Sequence, residues 1–275
     1  MLKPDLLTEL QDLRHLEWSR IRNSSGTAGS YLKSYGITDG NKIYYKLSCF
    51  DSINGIIGHE CVNELIADRL LTILGVDHLH YQLIHAQVSV SGTLYDTWLS
   101  ASEDFKAPGE SKLALDSYYD LEKKTDESPL AFCIRQGWSS YIYEMLIIDY
   151  LLLNRDRHGT NIEVLKKRRS SSVRLAPLFD HGLSLLYSCH TEEDVNRFDI
   201  AADLPVQCFV GSRSALQNLQ LIPQGKHPSL RPLEERDRTV LLAGLEHVLP
   251  TIYLDKIWEM IWNRWKTYET ICHQR

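Results

Sequence analysis

The sequence predicts an α+β fold in two lobes, a small strand-rich one followed by a larger helical one. Three observations carry this. Short stretches of period-two alternation crowd the first third of the chain, as in "NKIYYKLSCF" and "YQLIHAQVSV". Apolar residues at helical spacing dominate from Gly137 onward. Between them a polar stretch from about Glu103 to Pro129, with Pro108 and Gly109, reads as a connection. Residues 1–105 are then the first lobe and 106–275 the second. A chain of 275 residues, 43% apolar and 24% charged, is large enough to fill both with core.

Leu2 to Ile21 reads as a helix, because Leu6, Leu10, Leu13 and Leu16 recur at helical spacing. A Ser/Gly-rich loop, "RNSSGTAGSYLKSYG", follows it. In "NKIYYKLSCF", Ile43, Tyr45 and Leu47 alternate with Tyr44, Lys46 and Ser48, the pattern of a half-buried strand. "HECVNELIADRLLTILGV" is the clearest helix: Val62, Leu65, Ile66, Arg69 and Ile73 share a face, and Gly75 is placed to cap its end. The strands "YQLIHAQVSV" and "TLYDTWLSA" come next, turning at Ser91 and Gly92. Gly137 to Asn154 is helical, with Ile142, Met145, Leu146 and Leu153 to one side. "NIEVL" and "VRLAPLF" read as a short buried hairpin. Leu233 to His273 reads as helical and carries Trp258, Trp262 and Trp265.

Composition removes several function classes. A net charge of −6 gives no electrostatic footprint for nucleic acid or an anionic membrane, so direct binding to neither is expected. The one dense basic run, "LKKRRSSS" from Leu165 to Ser172, reads as a solvated turn. The most apolar segment, Ile142 to Leu153, is interrupted by Glu144 and Asp149 and cannot be a membrane span. Six cysteines without a CxxC pair fit neither a zinc site nor a small disulfide framework. The start, "MLKPDLLTEL", lacks the apolar core of a signal peptide. Together these point to a reduced, cytoplasmic protein.

The chemistry concentrates in "LLLNRDRHGTNIEV", Leu151 to Val164, where polar residues stand between two apolar segments. Asp156 and Asn161 are five apart, and "LFDHG" places Asp180 just beyond the hairpin. Phosphoryl transfer from ATP needs one carboxylate to orient the acceptor hydroxyl and take its proton. It also needs a second carboxylate and an amide oxygen to hold Mg2+, a hard cation that takes oxygen ligands. Asp156, then Asn161 and Asp180, supply these types in that order. Upstream, "SSGTAGS" contains Ser24, Ser25, Gly26, Thr27, Gly29 and Ser30, a flexible backbone whose amides could approach triphosphate oxygens. It is not a Walker A loop, since no G-K-[ST] follows.

Lys46, on the next strand, is suited to pair with α/β-phosphates. Glu60 and Glu64 stand one helical turn apart on the following helix, and either could pair with it. Both lie opposite the apolar stripe, where a solvated face is expected. Backbone groups near Trp98 to Ala101, including Ser100, are expected to hold the adenine, and His158 to order the catalytic loop at the nucleotide site. Arg155 and Arg157 could face phosphate or pair with acids, and the sequence does not choose. No one of these signals is specific; their order is.

At these residues the sequence resembles the HipA-like kinases, in which N-x-D-x-H-x-x-N is followed by "LAP" and an aspartate, as in "LLLNRDRHGTNIEV" and "LAPLFDHGLSLL". The same loop is similar to the D-R-H-x-x-N of phosphatidylinositol kinases. "VNELIADRLLTILGV" resembles the HipA-like helix in its Asn-Glu and closing glycine, which favours Glu64. The resemblance spans roughly Ser24 to Leu186. It implies a two-lobed protein-kinase-like fold with ATP in the cleft and serine/threonine protein kinase activity on a protein acceptor. It further implies Asp156 as base, Asn161 and Asp180 as magnesium ligands, and Lys46 as phosphate ligand. Such proteins are commonly toxins of toxin–antitoxin pairs, restrained by a DNA-binding antitoxin partner and sometimes silenced by autophosphorylation in the Gly-rich loop, here at Ser24, Ser25 or Ser30. The chain departs from a full HipA in leaving no room for the extra N-terminal domain. His181 stands where D-F-G kinases carry an aromatic. Two other classes stay open: an ATP-binding pseudokinase or interaction module, and a small-molecule or lipid kinase.

Overall fold

The expected N-terminal helix is a strand. In the computed structural model, which describes residues 4–19, 31–167 and 172–274, Leu6–Asp12 forms β1 and runs parallel to a later strand. Leucines four apart suit a helix, but a sheet edge left open by that later strand offers ladder hydrogen bonds a lone helix lacks. Leu6 and Leu7 point to opposite faces and join the two separate cores.

β2 (Lys33–Thr38) and β3 (Asn41–Leu47) form an antiparallel hairpin, and β4 (Phe50–Asp51) and β5 (Gly55–Ile56) a small ladder beside it. The helix α1 (Glu60–Leu74) follows and ends on Gly75, whose φ of +77° is the left-handed cap that glycine adopts without strain. β6 (Gln82–Val90) and β7 (Thr93–Glu103) then pair across Ser91 and Gly92, both at positive φ, as a tight two-residue hairpin requires. The sheet order is β1-β6-β7-β3-β2. An isolated bridge joins Ser19 to Lys33. The Gly-rich stretch with Ser24, Ser25, Gly26, Thr27, Gly29 and Ser30 lies outside the described residues.

α1 corrects another expectation. Every residue of it except Thr72 is buried, Glu60 and Glu64 included, so there is no solvated face. The sheet covers one side and the helical lobe the other, and most of its apolar side chains belong to the larger core. A smaller core, built on Leu47, Val88 and Leu99, fills the opposite face of the sheet.

The polar stretch after Glu103 is more than a connection. It holds β8 (Glu110–Ala114) and α2 (Leu115–Glu122). Sequence shows the alternation of "ESKLA" but not the edge awaiting it. After α3 (Pro129–Arg135), α4 (Ser139–Leu152) is buried nearly all round. β9 (Asp156–Arg157) leads to the expected hairpin, β10 (Glu163–Lys167) with β11 (Val173–Leu175), onto whose free edge β8 pairs. The basic run after Lys167 lies outside the described residues up to Ser172.

α5 (Glu192–Arg197) is followed by β12 (Gln207–Cys208), which pairs in parallel with β9. α6 (Ala215–Asn218) and α7 (Asp237–Leu241) precede the long α8 (Thr251–Gln274). The C-terminal helical region is thus broken at Gly244, at φ +75°, and at Pro250. No helix among the described residues is long and apolar enough to cross a membrane.

Candidate active site

Pairing in the sheet and burial of α1 bring Lys46, Glu64 and Asp180 together. Lys46 Nζ lies 3.0 Å from Glu64 Oε1 and 2.6 Å from Asp180 Oδ1. Glu60 is occupied elsewhere, accepting from Tyr31 Oη and from the Cys49 N–H, each at 3.2 Å. Glu64 spends its second oxygen on the His181 N–H at 2.8 Å. Burial alone would raise the Asp180 pKa, but Lys46, with Lys33 behind it, outweighs that and holds the carboxyl well below its usual range. Burial would likewise lower Lys46, and the two carboxylates overturn it, so the ammonium stays charged. Glu64 is pushed up, by desolvation first.

The loop around Asp180 is shaped by backbone that ordinary residues avoid. Asp180 and Leu185 have φ of +59° and +55°, and Leu153, at the end of α4, +51°. Gly182 comes so close to α1 that a Cβ there would sit 3.2 Å from Glu64 Oε1 and 3.4 Å from Lys46 Nζ. Asn63 secures this approach, its Nδ2 donating to the Gly182 and Ser184 carbonyls at 3.0 and 2.9 Å. The Asp180 N–H donates to Tyr81 Oη at 3.3 Å.

Three strands of contact stitch this loop to the one carrying Asp156. The Leu185 N–H donates to the Leu152 carbonyl (2.7 Å) and the Arg155 N–H to that of Leu183 (2.9 Å). Arg157 Nη1 donates to the carbonyls of Phe179 (2.8 Å) and Asn161 (3.0 Å). The rest of the Arg157 guanidinium grips Asp149 in α4, with contacts of 3.0 to 3.2 Å. The sequence left Arg157 between phosphate and acid; it is buried and paired with acid. Arg155 bonds the Pro205 carbonyl.

Within the loop, Asn154 takes the Asp156 N–H on its Oδ1 (3.1 Å) and donates to Asp149 (2.9 Å). Asn161 Nδ2 donates to the Asp156 carbonyl at 2.8 Å, which leaves its Oδ1 as the atom able to take a cation. His158 Nε2 lies 3.4 Å from Asp156 Oδ2, and Thr160 Oγ1 contacts its Nδ1. His181 is buried and its pKa is driven well below the usual value, by desolvation first and Arg157 next, so it stands neutral.

The adenine expectation at Trp98 and Ser100 is corrected. From Leu99 to Ala101 the strand is paired with β3 on one side and β6 on the other, so those backbone groups are committed to ladders. Ser100 stands directly across from Lys46, on the same face of the sheet, while Trp98 stacks on His85 at 4.8 Å. Sequence reasoning missed Asp149, Asn63 and Tyr81 as supports of the site. An acid within the apolar run "MLIIDYLL" was the available signal for Asp149; nothing local marks Tyr81.

No family model matches this sequence, and no curated protein matches it. Its fold is similar to the crystal structure of a Helicobacter pylori proinflammatory kinase, CtkA. That match has a TM-score of 0.59 at 15% identity and covers 93% of each chain. A looser match is a chain of the Shewanella oneidensis MR-1 toxin–antitoxin complex of HipA, HipB and operator DNA. There the TM-score is 0.40 at 15% identity, over 87% of this chain and 56% of that one. Another is a Neurospora crassa PAN3 pseudokinase mutant, with TM-score 0.37 and 10% identity over 100% of this chain and 68% of that one. The first match shows that this chain has the two-lobed kinase-like fold, a β-sheet lobe against a helical one.

Proposed function

We propose that this kinase-like fold is a working ATP- and magnesium-dependent serine/threonine protein kinase, with residues 1–105 and 106–275 as its lobes. One observation carries the reading: Lys46 bridges Glu64 of α1 and Asp180, and the Asp180 loop is sewn to the loop of Asp156 and Asn161. Residues from distant parts of the sequence converge in the arrangement phosphoryl transfer uses. The donor set fits magnesium, because Asp180 is held ionised and Asn161 has its oxygen to spare, both hard ligands. ATP supplies the transferable phosphoryl group, and the cation neutralises its charge.

In this reading Lys46 binds phosphate oxygens while Glu64 keeps it aimed. Asp156 accepts the proton of the acceptor hydroxyl as that oxygen bonds the γ-phosphorus. The bond to the β-phosphate oxygen breaks, and ADP leaves. His158 holds the Asp156 carboxylate in place from the side. β12 pairs with β9 so that Gln207 lies beside Asp156, which makes the β12 segment the candidate surface for the acceptor chain. The toxin role, the antitoxin-like DNA-binding partner and self-phosphorylation at Ser24, Ser25 or Ser30 belong to the same reading. A phosphate at those serines would repel the phosphates of ATP.

The test is transfer of labelled phosphate from Mg-ATP to the protein itself, with Asp156→Ala and Asp180→Ala alongside and any labelled residue mapped. Labelling that vanishes in both variants supports the kinase. ATP binding without labelling, on the protein or on a panel of protein acceptors, would make the chain a pseudokinase. Absence of ATP binding removes the reading.

A further inference from the structure

One turn beyond Glu64, α1 carries a second polar cluster that phosphoryl transfer does not use. The Asp68 carboxylate is buried. Its Oδ1 lies 2.6 Å from His78 Nε2 and 2.9 Å from His80 Nδ1, and its Oδ2 accepts the Tyr81 N–H at 2.9 Å. His78 is buried as well, and its other nitrogen, Nδ1, lies 2.7 Å from the Val76 carbonyl oxygen. A carbonyl only accepts, so Nδ1 carries the hydrogen. The neutral ring therefore turns the lone pair of Nε2 toward a carboxylate oxygen, with the Thr72 hydroxyl a further 3.4 Å neighbour. Two electron-rich atoms at that separation need a cation between them, either a second proton on His78 or a metal ion.

Three features favour the metal. His80 is 76% exposed, free to turn into water, yet its Nδ1 points back to the same oxygen. The three donor atoms lie within 4.8 Å of one another. The Nδ1–H bond from His78 to a backbone carbonyl is also the contact that orients metal-bound imidazoles. Two nitrogens and one carboxylate oxygen suit zinc or another late first-row divalent ion far better than magnesium or calcium. Bonds of about 2.0–2.1 Å need neighbouring ligands roughly 3.3 Å apart, so the exposed ring of His80 must swing outward and the buried Asp68–His78 pair must part by about 0.7 Å. A fourth position on the side of His80 faces solvent and would take water.

We propose that Asp68, His78 and His80 bind a divalent transition-metal ion of the zinc type, pinning the segment from Val76 to Tyr81 against α1. The same segment supports the Asp180 loop. The Leu79 N–H donates to the Leu178 carbonyl at 2.8 Å, and Tyr81 Oη accepts the Asp180 N–H. The site is distinct from the oxygen donors of Asn161 and Asp180 and stands whether or not the chain is a kinase.

The experiment uses the full chain stripped with chelator and titrated with zinc alone by calorimetry, with thermal unfolding followed in parallel. One equivalent is expected to bind at micromolar or tighter affinity and to raise the unfolding midpoint by several degrees. Magnesium in large excess should not displace it. His80→Ala, at an exposed position where folding is not at risk, should weaken binding at least tenfold and abolish the thermal shift. Asp68→Asn should do the same. If wild type binds no zinc, the bridging cation is a proton and the proposal falls. Equal binding by wild type and His80→Ala overturns it as well, since the zinc would then sit elsewhere.

Discussion

Two cations serve the Asp180 loop, one fully buried and one only partly, and are held in opposite ways. Arg157 is 1% exposed, and four of its five N–H donors are shared between the Asp149 carboxylate and two backbone carbonyls. Buried this deeply, it presents almost no surface to a ligand. Lys46 is 15% exposed, divides three donors between two carboxylates, and lies 4.8 Å from the centre of the Tyr31 ring. Asp180, its nearer partner, is itself a quarter exposed. A strut must not exchange partners, whereas the phosphate-binding group proposed at Lys46 must. Burial separates the two where charge alone does not.

Removing each cation in turn tests the two arrangements most strongly. Arg157→Met leaves Asp149 buried and unpaired and should cost about 3–5 kcal/mol of unfolding free energy in urea titration. Adding Asp149→Leu should recover part of that loss, because an apolar pair avoids the stranded charge. A single variant as stable as wild type would show that Arg157 is no strut.

On the proposed kinase reading, Lys46→Met should lower phosphate transfer by about 10²–10³-fold at saturating ATP. Its stability loss should be less than half that of Arg157→Met, since Asp180 can hydrate. A larger loss of stability than of transfer would make Lys46 the structural residue of the two.

A neutral buried base sharpens the contrast further. His59 is packed edge-on against Tyr253, and its pKa is lowered to about 4, by desolvation first and His190 next. The unfolded chain takes up this proton near pH 6.5, the folded chain only near pH 4. Between those values the unfolded state binds more protons, so stability falls as pH falls, by about 3 kcal/mol at the lower end. His181, also lowered, adds in the same direction. His59→Asn should flatten the slope of urea midpoint against pH between 6.5 and 4; an unchanged slope would assign it to other groups.

The smallest effect is a backbone one. Gly75→Ala meets nothing within 4 Å but must hold φ near +77°, and should cost about 1 kcal/mol in the same titration, without touching phosphate transfer.

Local pattern was enough for much of this. The alternation in "NKIYYKLSCF", the αL glycine after "LLTIL" and the hairpin turn at Ser91 and Gly92 each follow from residues within a few positions of one another. The order of Lys46, Glu64, Asp156, Asn161 and Asp180 along the chain was visible too, and so was the two-lobed fold it suggested. Yet leucine spacing misled at Leu6 to Leu16, and "ESKLA" passed for a linker, because a strand is stabilised by an edge elsewhere in the sequence. Backbone near Trp98 was expected to be free for adenine, although the strands on either side consume it.

Residue types, their order and the short-range elements are written along the chain, since propensity, caps and turns act over a few residues. Which groups meet is set by packing between distant segments. That packing gave Lys46 to Glu64 and Glu60 to Tyr31 and the Cys49 N–H, buried both acids on a helix that looked half solvated, and turned Arg157 inward to Asp149. Glu60 and Glu64 share a helix face, so no periodicity separates them. The difference arises from where β3 and the Asp180 loop pack against α1, a contact between residues 18 and 134 positions apart from Lys46.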